Sequence, residues 1–71
     1  MPLKIRQLKA ALAKVGFSWR PGKGSHTVWT HPIVPELEIT ISGQDGRDAK
    51  PYQERDVRDA LESLERKKHE R

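Results

Sequence analysis

Apolar residues recur at two different spacings along the 71-residue chain, and these spacings predict two helices and three strands. The first apolar stripe repeats every three or four residues, as on an amphipathic helix, and consists of Ile5, Leu8, Leu12 and Val15. Gly16 follows the stripe directly. Because glycine readily takes the left-handed conformation that ends helices, we predict that the first helix stops at this residue.

Three segments in the middle of the chain are typical of β-strands. Residues 17–20 and 37–42 alternate apolar and polar side chains, and residues 26–30 are rich in β-branched and aromatic ones. Glycine, proline and serine between the first two segments favour a tight turn, so we expect a β-hairpin. The third strand has its apolar residues on one side, which we expect to be buried: Leu37, Ile39 and Ile41.

A second helical stripe occupies the C-terminal part of the chain. Residues 43–50 contain two glycines and two aspartates and are expected to form a loop. Pro51 suits the first turn of a helix. The helix is expected to reach about Arg66 on its apolar residues, which are Val57, Ala60, Leu61 and Leu64. Residues 66–71 have no apolar side chain to bury and are expected to fray.

This order of elements, αβββα, predicts an α+β fold. A three-stranded antiparallel sheet can pack both amphipathic helices on one face and leave the other face open. With 71 residues, of which 34% are hydrophobic, we expect one domain spanning residues 1–71 and no second domain. Function is expected on the open face of the sheet or at its rim.

The composition argues against several classes of protein. There is no cysteine, which excludes disulfides and thiolate metal sites. No apolar run approaches the ~20 residues that cross a bilayer, and the N-terminus lacks the hydrophobic stretch of a signal peptide. We therefore expect a cytoplasmic protein that does not associate with membranes.

Positive charge is concentrated in the first third of the chain. The formal net charge is +4, and residues 1–24 contain no acidic residue. Their basic residues are Lys4, Arg6, Lys9, Lys14, Arg20 and Lys23. Because phosphate backbones attract clustered Lys and Arg, we expect a polyanion near this region, although a basic surface that serves only solubility is the alternative. Trp19 would stack an unpaired base if it lies on the open face.

The three histidines do not form a metal-binding pattern. His26 and His31 are five residues apart on a predicted strand, which puts them on opposite faces and more than ~12 Å apart. His69 lies in the charged tail. We therefore expect neither a metal nor another cofactor.

The predicted hairpin turn contains the residues that are best suited to binding an anion and transferring a proton. Gly24 lets backbone amides approach an anion closely, Lys23 adds positive charge and Ser25 adds a hydroxyl. His26 supplies an imidazole, the side chain best suited to exchanging a proton near neutral pH. A phosphodiester could be bound and cleaved here, but glycine, lysine and serine are also what ordinary hairpin turns contain.

The remaining conspicuous side chains are expected to be structural. Trp29 is expected in the core, as tryptophan usually is in so small a protein. Pro32 ends a strand, and His31 is expected to cap or pack at the edge of that strand. Tyr52 is expected to pack against the loop that precedes the second helix.

The order of several residues resembles the HicA toxin family. The shared pattern spans nearly the whole chain and consists of Gly16-Phe17, Lys23-Gly24-Ser25-His26, Trp29, His31-Pro32 and Lys50-Pro51. Its most specific part is Lys-Gly-Ser-His followed by an aromatic residue and His-Pro.

The resemblance implies a double-stranded-RNA-binding-domain-like fold and a toxin that cleaves messenger RNA without a metal. It implies that His26 is the catalytic residue and that a HicB-type antitoxin inhibits the protein. Gly24 and Ser25 match the family's motif by position, and Lys23 matches a basic residue that often precedes it. The remaining residues that we predict to bind RNA are Arg20, Lys4, Lys9 and Trp19.

The chain departs from the family after the third strand. Many relatives carry a proline and a second histidine there, whereas this chain has Ser42-Gly43-Gln44-Asp45. Two alternatives to a ribonuclease stay open. One is a non-catalytic RNA-binding module of the same fold, and the other is a subunit that only binds another protein chain through its sheet.

Overall fold

The computed structural model describes residues 2–70, and its elements follow the predicted αβββα order. The elements are helix α1 (Ile5–Lys14), strands β1 (Ser18–Pro21), β2 (Thr27–Thr30) and β3 (Ile39–Ile41), and helix α2 (Pro51–Lys68). The fold is α+β, as predicted. Gly16 has a φ of +101°, so the first helix ends where the sequence predicts.

The three strands form one antiparallel sheet in the order β1-β2-β3. Trp29 of β2 pairs with Trp19 of β1 and with Ile39 of β3. Thr27 at the start of β2 pairs with Ile41 at the end of β3. The end of β3 therefore lies beside the hairpin turn, and β3 forms one edge of the sheet.

Both helices pack on one face of this sheet. The buried core combines three side chains from each helix with apolar residues of the strands and their connections, namely Ile5, Leu8, Leu12, Phe17, Trp29, Val34, Ile39, Ile41, Ala49, Val57, Ala60 and Leu64. Side chains that alternate with these along the strands, such as Arg20, Val28 and Thr40, are exposed or half-buried. This confirms the prediction of one covered face and one open face.

The loop between β3 and α2 holds the start of α1. Neither helix is preceded by the Ser, Thr, Asp or Asn that usually caps one. Instead, the Ile5 N–H donates to the carbonyl of Arg47 (2.9 Å) and the Arg6 N–H donates to the carbonyl of Asp45 (3.1 Å). The loop thus supplies acceptors for N–H groups that have no partner inside the helix.

Several element boundaries differ from the prediction by one or two residues: β1 spans Ser18–Pro21, and β2 begins at Thr27, so that His26 lies in the turn and not in the strand. Two further differences have a clear physical reason. Strand β3 starts at Ile39 because Leu37, half-buried, belongs to a turn in which its N–H donates to the carbonyl of Val34 (2.9 Å). Helix α2 continues through Lys68, since positively charged side chains in the last turn interact favourably with the helix C-terminus. Arg71, the end of the tail predicted to fray, lies outside the described residues.

Candidate active site at the hairpin turn

His26 lies at the end of the turn that joins β1 to β2. Its N–H donates to the carbonyl of Lys23 (2.9 Å), and its own carbonyl accepts a hydrogen bond from the Gly22 N–H (2.9 Å). Gly24 has a φ of +58°, a conformation that glycine adopts without steric cost. The backbone around His26 is therefore fixed by the turn, while the residue itself is exposed to solvent.

Ser25 and Gln53 connect this turn to the end of β3 and the start of α2. The Ser25 Oγ accepts a hydrogen bond from the Gly43 N–H (3.1 Å). The buried Gln53 donates through Nε2 to the carbonyl of Ser42 (2.9 Å) and accepts through Oε1 from the Lys50 N–H (2.8 Å). Sequence reasoning missed Gln53, because a glutamine on a helix gives no sign of a long-range contact.

A cleft of about 610 Å³ lies between β3 and α2, and His26 is at its border. We call it the acidic cleft because its polar walls combine hydroxyl and carboxylate side chains, from Thr40, Ser42, Tyr52, Glu38, Asp56 and Asp59. The structure thus places Tyr52 in the wall of the cleft beside His26, with 46% of the residue exposed, and not simply against the preceding loop. The first turn of α2 runs beside the β3 edge, and this position turns Tyr52 towards the cleft.

A second, smaller cleft of about 290 Å³ shares Ser42 with the acidic cleft. Ser25 lines it together with two cationic side chains, Arg47 and Lys50, so we call it the basic cleft. Asp48 also borders it. Sequence reasoning named Lys50 only as part of the family pattern and did not name Arg47. Along the chain both lie in an aspartate-containing loop, and only the fold brings them to Ser25.

Three of the basic residues that we predicted to bind RNA are paired with carboxylates. The pairs are Lys4 Nζ to Asp48 Oδ1 (2.6 Å), Lys9 Nζ to Asp45 Oδ1 (2.7 Å) and Arg20 Nη2 to Glu38 Oε2 (3.1 Å). Exposed ion pairs contribute only ~0–1 kcal/mol, so a phosphate can replace the carboxylate, but each carboxylate lowers the local positive potential. Within residues 2–70, Lys23 forms no ion pair, and of this predicted group it is the one beside His26.

The two tryptophans occupy different environments. Trp29 is buried, as predicted, and its Nε1–H donates to Thr27 Oγ1 (2.8 Å). Trp19 is 57% exposed, and its ring centroid lies 6.3 Å from that of Trp29. It borders a groove on the α1 side of the sheet, together with Lys9 and Ala13. Trp19 pairs with the buried Trp29 and therefore lies on the covered face of the sheet, not on the open face for which we predicted base stacking. Its ring is nevertheless exposed in this groove beside Lys9, apart from the hairpin turn.

His31 is buried and bonded on both ring nitrogens to the backbone. Its Nδ1 accepts a hydrogen bond from the Ile33 N–H (3.0 Å), and its Nε2 lies 3.0 Å from the carbonyl oxygen of Val15. Phe17 packs against the ring edge-on, with centroids 5.0 Å apart. These contacts confirm that His31 is structural. Among residues 2–70, no group of three or more His, Asp or Glu side chains is placed to hold a metal ion.

Comparison with known proteins gives one match. A protein-family model described as HicA toxin of bacterial toxin-antitoxin matches residues 5–65, which run from the start of α1 through most of α2. No curated protein and no solved structure matches the chain significantly. Neither helix of the described part of the chain is both long and apolar enough to cross a membrane.

Proposed function

Because this chain belongs to the HicA toxin family of toxin-antitoxin systems, we propose that it is an endoribonuclease that cleaves messenger RNA without a metal ion. The observation that carries the proposal is the exposed His26 in a fixed turn, which borders the acidic cleft through His26 itself and the basic cleft through Ser25. The family implies an antitoxin partner, and we propose a HicB-type protein that covers this turn.

In the proposed reaction His26 accepts the proton of the ribose 2'-hydroxyl. The 2'-oxygen then bonds to the adjacent phosphorus, and the bond from phosphorus to the 5'-oxygen breaks. The products are a 2',3'-cyclic phosphate and a 5'-hydroxyl, whose proton comes from water or from the protonated imidazole. RNA supplies its own nucleophile, so the protein has only to move protons and stabilise charge.

The groups around His26 are suited to the negative charge of the reacting phosphate. Lys23, which forms no ion pair with the described residues, supplies an ammonium in the same turn. Gly24 leaves room for the RNA strand to approach the backbone. The Ser25 Oγ accepts from Gly43, so its hydroxyl hydrogen is left for a phosphate oxygen. Donors of this kind act on the charge that develops in the transition state.

The other predicted RNA-binding residues would guide the strand. Lys9 and Arg20 would exchange their carboxylate partners for phosphates, whereas Lys4 would contact a phosphate while it still holds Asp48. Trp19 would stack an unpaired base in the groove that it borders. Base stacking on an aromatic side chain is typically worth ~1–3 kcal/mol. Because Trp19 borders a separate groove, this contact would lie beyond the reacting phosphate.

A non-catalytic RNA-binding module is the second candidate, and one observation favours it. His26 is the only histidine at the hairpin turn, since the core uses His31 and α2 is capped by His69. A single imidazole must then serve as both base and acid, or water must protonate the leaving oxygen. General acid or base assistance is typically worth ~10²–10⁴-fold, so we expect a slow enzyme.

The test compares the wild type with His26→Ala and His69→Ala, using end-labelled single-stranded RNA in EDTA. His69→Ala removes another exposed imidazole, at the C-terminal end of α2, and serves as the matched control. We expect the wild type and His69→Ala to give fragments with cyclic phosphate ends. His26→Ala should cleave about 10²–10⁴-fold more slowly with unchanged circular dichroism.

Two outcomes would overturn the assignment. Full activity of His26→Ala would remove this residue from the mechanism. Intact RNA with all three folded proteins, combined with salt-sensitive RNA binding, would establish the non-catalytic module instead.

A further inference from the structure

Positive charge without a carboxylate partner lies beside the hairpin turn. Among the described residues, no Asp or Glu side chain forms an ion pair with Arg47 or Lys50. Asp48, the carboxylate in the same cleft, is held by Lys4 at 2.6 Å. The basic cleft therefore keeps two uncompensated cations next to Ser25.

The backbone that carries these cations is fixed before any ligand binds. The Arg47 carbonyl accepts the Ile5 N–H (2.9 Å), and the Ala49 N–H donates to the carbonyl of Leu3 (2.7 Å). The Lys50 N–H donates to Gln53 Oε1 (2.8 Å). Binding to a segment that is already ordered costs less conformational entropy than binding to a mobile loop.

The charges on the two sides of Ser42 favour one path for a polyanion. The acidic cleft, which His26 borders, is also lined by Asp56 and Asp59. Asp59 lies 3.8 Å from Nε of Arg58, whereas Asp56 forms no ion pair among the described residues, so its negative charge opposes a phosphate in this cleft. The basic cleft borders the same turn through Ser25, whose Oγ is bonded to Gly43. A strand with one phosphate at His26 therefore extends more favourably over the basic cleft.

We propose that Arg47 and Lys50 form a second phosphate-binding site. It holds the backbone phosphate that is adjacent, in the same RNA strand, to the phosphate at His26. This inference rests on the proposed function and deepens it, because it specifies over which cleft the bound RNA strand extends from the phosphate at His26. The ligand is a phosphodiester of single-stranded RNA.

The test measures binding, so that cleavage is not required. A fluorescent single-stranded oligonucleotide with 2'-O-methyl riboses, which lacks the attacking hydroxyl, is titrated by anisotropy over a series of salt concentrations. The wild type is compared with the double variant Arg47→Ala/Lys50→Ala. The matched control is Arg55→Ala/Arg66→Ala, which removes the same charge from exposed residues of α2 that line neither cleft.

For single strands, the logarithm of the binding constant falls with that of the salt concentration by ~0.7 per neutralised phosphate. Because Arg47 and Lys50 are proposed to hold one phosphate, its loss should lower this slope by about 0.7 and weaken binding about fivefold at ~0.1 M salt. We expect the Arg47/Lys50 variant to show such a change and the control to keep the wild-type slope.

The outcomes separate this inference from the ribonuclease proposal. Equal slopes for the two double variants would overturn the phosphate site and leave the role of His26 untouched. A reduced slope in the Arg47/Lys50 variant alone would support the site even if the wild type cleaved no RNA. Failure of the wild type to bind the oligonucleotide would overturn the phosphate site, whereas the ribonuclease proposal is decided by the cleavage assay with unmodified RNA. Thermal melting of each variant checks that the fold is retained.

Discussion

His26 and His31 have the same side chain but differ in whether their ring nitrogens are free to contact a substrate. The Nδ1 of His31 accepts a backbone N–H, so its hydrogen must sit on Nε2, which donates to the carbonyl of Val15. Both ring nitrogens are thereby used to join the end of α1 to the segment after β2. His26 is exposed at the turn, where its imidazole is open to a substrate.

Replacing His31 by Ala should strongly destabilise the fold. The change leaves the Ile33 N–H and the Val15 carbonyl without partners and empties a buried space beside Phe17. We expect a loss of about 2–4 kcal/mol in the free energy of unfolding, measured by urea denaturation. His69→Ala is the control and should stay within about 0.5 kcal/mol of the wild type. A His31→Ala protein as stable as that control would contradict the structural role.

Gly16 is subject to two structural constraints, of which only the first could be predicted from the sequence. Its place after an apolar stripe predicts a helix stop, and the φ of +101° confirms it. A Cβ atom at this position would also lie 3.0 Å from Nε2 of His31. That second constraint joins residues 15 positions apart, so no local pattern reveals it.

The two helices begin in the same way, although neither start has a usual capping residue. Gln7 accepts the Lys4 N–H through Oε1 (2.7 Å), and Gln53 accepts the Lys50 N–H in the same manner (2.8 Å). The two glutamines differ in their other contacts. Gln7 is exposed, whereas Gln53 is buried and also holds the carbonyl at the end of β3.

This difference predicts unequal effects of the same substitution. Gln7→Ala removes one exposed capping contact and should cost about 0.5–1 kcal/mol of stability. Gln53→Ala should cost about 2–3 kcal/mol, because the Ser42 carbonyl loses its donor in a partly buried place. It should also slow RNA cleavage at temperatures where the protein is folded, since Ser42 borders both clefts. Equal losses of stability in urea titrations would argue against Gln53 as the link between β3 and α2.

The order of the elements could be predicted because it depends on local periodicity. The apolar stripe that begins at Ile5 defines one face of α1, and the alternation around Ile39 and Ile41 defines one face of β3. Both faces are buried in the structure. The hairpin turn with His26 was equally visible, since turn residues are consecutive. Contacts between the loop of residues 43–50 and α1 were not predictable, because they join segments that are distant in sequence.

Over the surface as a whole, the sequence predicted a concentration of positive charge in the first third of the chain. The fold changes this distribution. Asp45 and Asp48 neutralise Lys9 and Lys4, while Arg47, from the same loop, remains unpaired among the described residues. The net charge of the sequence predicts that the protein attracts a polyanion. The ion pairs in the folded structure determine at which part of the surface a positive potential remains.

The boundary between the two clefts leads to a prediction about affinity. Asp56 and Asp59 line the acidic cleft that His26 borders, and at low salt their charges are only weakly screened from a phosphate at the mouth of that cleft. Asp56→Asn/Asp59→Asn removes this repulsion while keeping the size and polarity of the side chains. We expect the variant to bind the 2'-O-methyl oligonucleotide roughly 2- to 5-fold more tightly at low salt, with the gain disappearing as salt rises.

A control with the same change in net charge shows whether position matters. Glu62→Gln/Glu65→Gln alters two exposed carboxylates of α2 that line neither cleft. If only the Asp56/Asp59 variant binds RNA more tightly, the acidic cleft limits where the strand can run. If both variants gain equally, the attraction depends on overall charge alone, and the path over the basic cleft loses its electrostatic support.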